Sequence, residues 1–286
     1  MSPESYSVAL SEAVHAEACG HLRRSDGQED LCFALWRPSR GAKRLTAVIR
    51  SLLMPEEGDR ALHGNASFQP RFVERAIGAA CAHHCGLALL HSHPGGRGWQ
   101  GMSKDDIETE HGRAAAILAA TGLPFVGLTL AGFDMAWSAR FWPRTAPRTY
   151  ERRDCASVRV VGDRLRVSYN DRLVPPPAAN DEQTRTVSAW GEEEQAHLAR
   201  LRVGLAGAGS VGGFVAESLV RTGVAAVTVI DFDTIQKKNL DRLSYATRND
   251  LGRGKAERLA ERLRESATAE RFEANPVKAA VFEEEG

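Results

Sequence analysis

Three consecutive prolines, Pro175-Pro176-Pro177, constrain this chain more than any other feature. Proline fixes φ and lacks an amide proton, so the run fits neither a helix interior nor a central strand. It reads as a stiff spacer over residues 171–182 and predicts two domains, residues 1–170 and 183–286. A length of 286 residues, against about 100–200 per domain, agrees with that division.

Before the spacer, Leu10, Val14, Ala18 and Leu22 fall at helical spacing and predict a helix over about 10–22. Strand patterns at 31–36 and 45–53 follow, then a helix over 71–84 with Phe72, Ala76 and Ala80 on one face. Gly86-Leu-Ala-Leu-Leu90 predicts a short buried strand running into His91, with a further helix at about 104–120. Paired strands are expected at 124–130 and 135–142, and a hairpin at 158–169 turning at Gly162-Asp163. After the spacer, a helix near 192–200 precedes the apolar strand at 202–206, a glycine-rich turn, a helix to about Thr222 and a second strand at 226–230. That is a β-α-β unit, for which a parallel sheet is expected. The whole chain therefore reads as α/β.

Composition narrows the function. The 37 basic and 37 acidic residues cancel, which gives no support to nucleic acid or an anionic membrane as the main partner. No apolar run reaches the ~20 residues that span a bilayer. The start, Met1-Ser-Pro-Glu-Ser, lacks the pattern of an export signal. The cysteines (Cys19, Cys32, Cys81, Cys85 and Cys155) are odd in number and scattered, which suits a reducing cytoplasm.

The first candidate site is Leu90-His91-Ser92-His93-Pro94 followed by Ser103-Lys104-Asp105-Asp106. On a strand, residues two apart share a face, so His91 and His93 can aim at one point. Asp106, from the next helix, can add an oxygen. Two nitrogens and one carboxylate leave a tetrahedral metal one position for water, the layout of a catalytic zinc. Such a metal lowers the pKa of its water towards ~7. Ser103-x-x-Asp106 is equally a capping box, and the two roles are compatible.

His91-x-His93-Pro94 with Ser103-x-x-Asp106 resembles the motif of the JAMM (JAB, Mov34/PAD) metallopeptidases, over roughly residues 6–145. The resemblance implies a cytidine-deaminase-like α/β fold, a Zn2+ ion on His91, His93 and Asp106, and a glutamate far upstream. His15-Ala-Glu17-Ala-Cys19-Gly20 fits that last position. By the same resemblance, Glu17 moves the proton of the zinc-bound water and Ser103 helps hold the oxyanion, as in deubiquitinases.

Two neighbouring features carry less. The loop Gly95-Gly-Arg-Gly-Trp99-Gln-Gly101 is rich in turn residues, and Arg97 and Trp99 offer a clamp for an extended peptide. Cys81-Ala-His83-His84-Cys85 lacks the partner ligands of a second zinc site and reads as a helix end.

The second candidate site is Gly207-Ala-Gly209-Ser-Val-Gly212, between a strand and a helix. Glycines admit a phosphate to the backbone, and a helix N-terminus favours negative charge. Dinucleotide dehydrogenases and adenylating enzymes share this signal. Ile230-Asp231-Phe-Asp233, Asn239-Leu-Asp-Arg242 and Gly252-Arg-Gly254-Lys255 resemble the ThiF/MoeB/ubiquitin-activating superfamily, which binds ATP with Mg2+ and adenylates a ubiquitin-like C-terminus. The resemblance implies that Asp231 holds the ribose, with Asp233 in the same motif, while Asn239, Arg242 and Lys255 meet phosphates. Arg185 corresponds to an arginine that reaches the nucleotide of a dimer partner, which makes a homodimer through this module an expectation. Leu243 stands where the family has glutamine, and the chain stops at Gly286, ahead of the family's magnesium-binding aspartate. The expectation is a C-terminally incomplete Rossmann-like module that binds ATP weakly or not at all and does not adenylate a ubiquitin-like tail by itself.

Together these features predict a cytoplasmic zinc-dependent (iso)peptidase fused to an activating module, working on one ubiquitin-like protein beside a ubiquitin-conjugating-like enzyme. Bacterial fusions of that kind link to antiphage defence. The alternatives are processing and activation of a sulfur-carrier protein in cofactor or cysteine synthesis, and a non-enzymatic scaffold.

Overall fold

The computed structural model describes residues 3–63 and 65–281. Met1, Ser2 and the chain end at Gly286, on which the expected absence of an export signal and the expected incomplete module rest, lie outside them. The chain divides into two compact units, Met1–Pro175 and Pro176–Gly286.

In the first unit, β1 (Ser5–Ser11) leads into α1 (Glu12–Leu22). The helix expected from Leu10 therefore starts two residues later. Tyr6, Val8 and Leu10 turn inward along the strand, and the Ser11 hydroxyl accepts the Val14 N–H at 3.3 Å to cap α1. Next come β2 (Leu31–Arg40), β3 (Arg44–Leu53), the small hairpin β4 (Arg60–His63) and β5 (Asn65–Phe68), and α2 (Pro70–Ala82). β6 (Gly86–His93), α3 (Lys104–Thr121), β7 (Phe125–Ala131) and β8 (Trp137–Trp142) follow. The unit ends with β9 (Arg144–Ala146), β10 (Thr149–Tyr150), β11 (Arg153–Asp154), β12 (Ser157–Val161) and β13 (Leu165–Tyr169).

Among the described residues a mixed sheet of nine strands runs in the order β11-β8-β7-β6-β2-β3-β1-β12-β13. Side-chain alternation splits its apolar residues between two faces. One face carries Cys32, Ala34, Trp36, Ala88 and Leu90, and packs with Val14, Ala18 and Leu22 of α1. The other carries Leu31, Phe33, Leu35, Leu87 and Leu89, and packs with Phe72 and Ala76 of α2 and Ala114 and Ile117 of α3. Trp36 fits on the first face because Gly86 offers no Cβ to meet its indole, whose N–H donates to Leu87 O at 3.2 Å. Truncating so large a buried ring costs about 3–5 kcal/mol.

In the second unit, α4 (Thr184–Trp190) and α5 (Glu192–Leu198) precede β14 (Arg202–Ala206), α6 (Ser210–Arg221), β15 (Ala226–Ile230), α7 (Lys255–Ser266) and β16 (Glu273–Val277). β14, β15 and β16 form a parallel sheet in that order, with Leu205 opposite Val229. Ala216 and Val220 of α6 and Leu259 and Leu263 of α7 join Val227 and Val229 in one core. This is the expected β-α-β unit. The sequence patterns above omit α7 and β16. The apolar residues of α7 are interspersed with charged ones, and Pro276 interrupts a strand that lies at the sheet's edge among the described residues. Both units are α/β. No described helix is long and apolar enough to cross a membrane.

Candidate functional site

β6 ends in the two histidines of the first site. His91 and His93 continue the face that carries Leu87 and Leu89, and their ring centroids lie 5.1 Å apart. α3 supplies the third group. Ser103 caps that helix reciprocally: its Oγ accepts the Asp106 N–H at 3.1 Å, and its own N–H donates to Asp106 Oδ2 at 2.9 Å. The cap holds the Asp106 carboxylate 3.6 Å from His91 Nε2 and 3.7 Å from His93 Nε2. The three ligand atoms lie within 4.8 Å of one another. Tetrahedral metal bonds of ~2.0–2.1 Å set ligand atoms roughly 3.4 Å apart, so this donor set fits a divalent cation with small adjustments.

Electrostatics separate the two imidazoles. Burial pulls the His91 pKa down to about 3, with the Arg140 charge adding to the effect, so His91 is a neutral donor. His93 is pushed up, first by its hydrogen bond with Asp106. Burial opposes ionisation of Asp106, but bonds from His93 and Ser103 and the nearby His91 hold its carboxyl well below the usual range.

Two upstream glutamates are placed on different sides of the sheet. Glu17 lies exposed on α1, which packs against the opposite face of the sheet, and its charge acts on the buried Cys32 thiol there. Glu29 takes the nearer position. Leu31 pairs with His91, and the ladder continues as Ser92 N–H donates to Asp30 O at 3.1 Å, so Glu29 falls opposite His93 on the same face. Burial pushes the half-buried Glu29 carboxyl up, and His93 and Asp106 both act on it. No local motif marks Glu29; only strand register brings it there.

Beneath His91 runs a buried polar chain. Thr129 Oγ1 lies 3.3 Å from His91 Nε2 and accepts from Arg140 Nη1 at 2.5 Å. Arg140 grips the Glu110 carboxylate with two nitrogens, and Trp142 Nε1–H donates to the same carboxylate at 2.7 Å. The loop at 95–101 is held rather than free: Gly98 N–H donates to Asp134 at 2.7 Å, and Arg97 stacks 3.9 Å from the Phe133 centroid. Cys81 is exposed and Cys85 buried, and no second metal cluster occurs among the described residues.

In the second unit, Gly207 has φ +92, a backbone conformation open to glycine. A Cβ at Gly212 would run into the Gly207 carbonyl, so α6 can start this close to β14 only with glycine. Gly209 is the N-cap of α6 and offers no side chain to the helix amides. Among the described residues, the N–H groups of Gly209, Ser210, Val211 and Gly212 meet no protein acceptor. Asp231, at the end of β15, anchors the turn: its Oδ2 accepts Ala208 N–H at 2.7 Å and its Oδ1 accepts Asp233 N–H at 2.8 Å. Lys255 opens α7 with Nζ 2.6 Å from Asp233 Oδ2.

The remaining expected residues are more dispersed. Asn239 is buried and closes a short turn by accepting Gln236 N–H at 2.9 Å. Arg242 is bonded to Lys238 O at 2.8 Å and to Asp241 at 2.9 Å. Arg185 stands exposed on α4. Leu243, in the position of the family's glutamine, is buried in the core of the unit. Tyr245 is absent from the expected set, yet its hydroxyl donates to Ala208 O at 2.5 Å.

Comparison with known proteins places a family name on the second unit. Residues 181–281 match the ThiF family. A tRNA threonylcarbamoyladenosine dehydratase of Escherichia coli (strain K12) is 39% identical over 80 residues, which is 28% of this chain and 30% of that protein. A sulfur carrier protein adenylyltransferase of Thermus thermophilus is 38% identical over 88 residues, 31% of this chain and 32% of that protein. A crystal structure of the E. coli tRNA N6-threonylcarbamoyladenosine dehydratase with AMP matches at 30% identity and a TM-score of 0.33, over 39% of this chain and 42% of that one. The chain thus spans about a third of the length of these curated relatives.

These relatives overturn the main functional expectation. The sequence motifs predict a zinc (iso)peptidase of deubiquitinase type, whereas the named relatives are a dehydratase and an adenylyltransferase. The JAMM resemblance, and with it the hydrolase and antiphage readings, finds no support. The physical reason lies in what the motif encodes. Two histidines and an aspartate describe a place for a cation, and Ser103 with Asp106 describes a helix cap; neither specifies a reaction.

Proposed function

We propose that the second unit is the nucleotide-binding part of an ATP-dependent adenylyltransferase whose acceptor is the C-terminal carboxylate of a sulfur-carrier protein. The observation that carries this reading is the row of unpaired N–H groups from Gly209 to Gly212, opening α6 within the stretch that matches the ThiF family. The sulfur-carrier acceptor follows the Thermus relative. In the reaction, a carboxylate oxygen attacks the α-phosphorus of ATP bound with Mg2+. The bond from that phosphorus to the bridging oxygen breaks, and acyl-adenylate and pyrophosphate form. The helix-start amides stabilise phosphate charge. Asp231 takes the ribose while it braces the turn, and Lys255 exchanges its Asp233 partner for a phosphate.

The test is ATP–pyrophosphate exchange with a sulfur-carrier protein ending in glycine. Exchange that needs the carrier and falls roughly a hundredfold with Lys255→Ala supports the reading. No exchange and no ATP binding would refute it. A second reading follows the E. coli dehydratase relative, with a carboxylate on tRNA as acceptor; tRNA-dependent ATP consumption without exchange on the carrier favours it.

For the first unit we propose a divalent cation, zinc by donor type, on His91, His93 and Asp106, with no reaction attached. Elemental analysis of wild type against His91→Ala/His93→Ala tests it.

A further inference from the structure

We propose that Tyr245 is a positioning residue for the nucleotide site, holding the Ala208–Gly209 peptide so that the Gly209 N–H faces the phosphate. The inference rests on the adenylyltransferase reading and concerns a residue outside the glycine and aspartate motifs. Ala208 is fully buried and clamped from both sides. Its N–H donates to Asp231 Oδ2 at 2.7 Å, and its carbonyl accepts the Tyr245 hydroxyl at 2.5 Å. In a trans peptide the C=O and the following N–H point in opposite directions. Pinning the Ala208 carbonyl towards Tyr245 therefore turns the Gly209 N–H away from the protein, in line with the unpaired amides of Ser210, Val211 and Gly212.

The tyrosine can reach the turn because of a glycine. Its ring lies against Gly213, where a Cβ would approach the ring to 2.9 Å. Tyr245 is itself buried, 3% exposed, so the ring is fixed by packing and the hydroxyl by geometry. Without the hydroxyl, the buried Ala208 carbonyl loses its partner, and the peptide can rotate to find another. A rotated peptide withdraws one phosphate donor before ATP arrives.

Tyr245→Phe isolates the effect, since the ring still fills its place against Gly213. We expect ATP affinity to fall about fivefold, the worth of one hydrogen bond, and thermal stability to drop because the buried Ala208 carbonyl is left unpaired, while adenosine affinity stays near wild type. A purely structural role would weaken ATP and adenosine together, and that result would overturn the proposal, as would unchanged ATP affinity. Wild type that binds no ATP would instead overturn the adenylyltransferase reading, and the inference with it. Amide exchange on the wild-type chain gives a check that needs no variant: Ala208 N–H should exchange slowly throughout, and Gly209 N–H should slow only when ATP is added. A Gly209 amide already slow without nucleotide would refute the orientation assigned here.

Discussion

Replacing Glu110 with leucine leaves the Arg140 guanidinium charged inside the first unit with its main partner gone. The two side chains are 1% and 3% exposed, so solvent cannot take the partner's place. Glu110 also accepts the Trp142 indole N–H at 2.7 Å, and that donor is stranded too. Breaking a buried pair from one side costs about 3–5 kcal/mol. For a body of this size, each kcal/mol lowers Tm by about 2–4 °C, so the transition of the first unit should drop by roughly 6–20 °C. The assay is thermal or urea unfolding of Glu110→Leu, Arg140→Met and the double variant. Removing both charges relieves the unpaired guanidinium, so the double variant should be more stable than Glu110→Leu alone. A loss below about 1 kcal/mol in Glu110→Leu, or a double variant worse than either single one, would refute the reasoning.

Other outcomes follow from the same geometry. Elemental analysis should find one divalent cation per chain, lost in His91→Ala/His93→Ala. Cation affinity should change in Glu29→Gln and stay unchanged in Glu17→Gln, measured by competition with a chelating dye; the reverse order would point to Glu17 on α1. Asp231→Ala should weaken ATP binding at least tenfold by calorimetry, because the turn loses its anchor and the ribose its acceptor. The Asp250 carboxyl is held below its ordinary value by the Thr247 backbone N–H, then by the Thr247 hydroxyl and Arg258. Its stabilising contribution is therefore in place above the unfolded value of ~3.9 and is lost as pH falls through the lower folded value. Acid unfolding curves of wild type and Asp250→Asn should converge below that window and separate above it.

Some of this architecture is legible from local pattern and some is not. β14 and β15 stand out because each is a short, largely apolar run, and the first leads straight into Gly207. His91, His93 and Asp106 are legible because strand alternation and a helix cap are both local rules. β1 is hidden because Leu10, at the end of a strand, also completes the helical spacing of Val14, Ala18 and Leu22. Glu29, Thr129 and Arg140 reach the cluster through pairings between distant strands, which no window of sequence contains. Tyr245 is of the same kind, since its partner Ala208 lies 37 residues away.

The pairing of β1 with β12 has a consequence for how the chain is made. Ser7 lies in register with Ser157, so the first strand acquires its second neighbour only after about 150 more residues exist. At roughly 5–20 residues per second, one edge of β1 stays open on the ribosome for about 8–30 s. β3 covers the other edge early, which leaves a half-finished sheet with a bare row of N–H and C=O groups. Such an edge recruits strands from neighbouring chains, and fragments ending before Val161 should collect in the insoluble fraction, whereas those ending after Tyr169 should not.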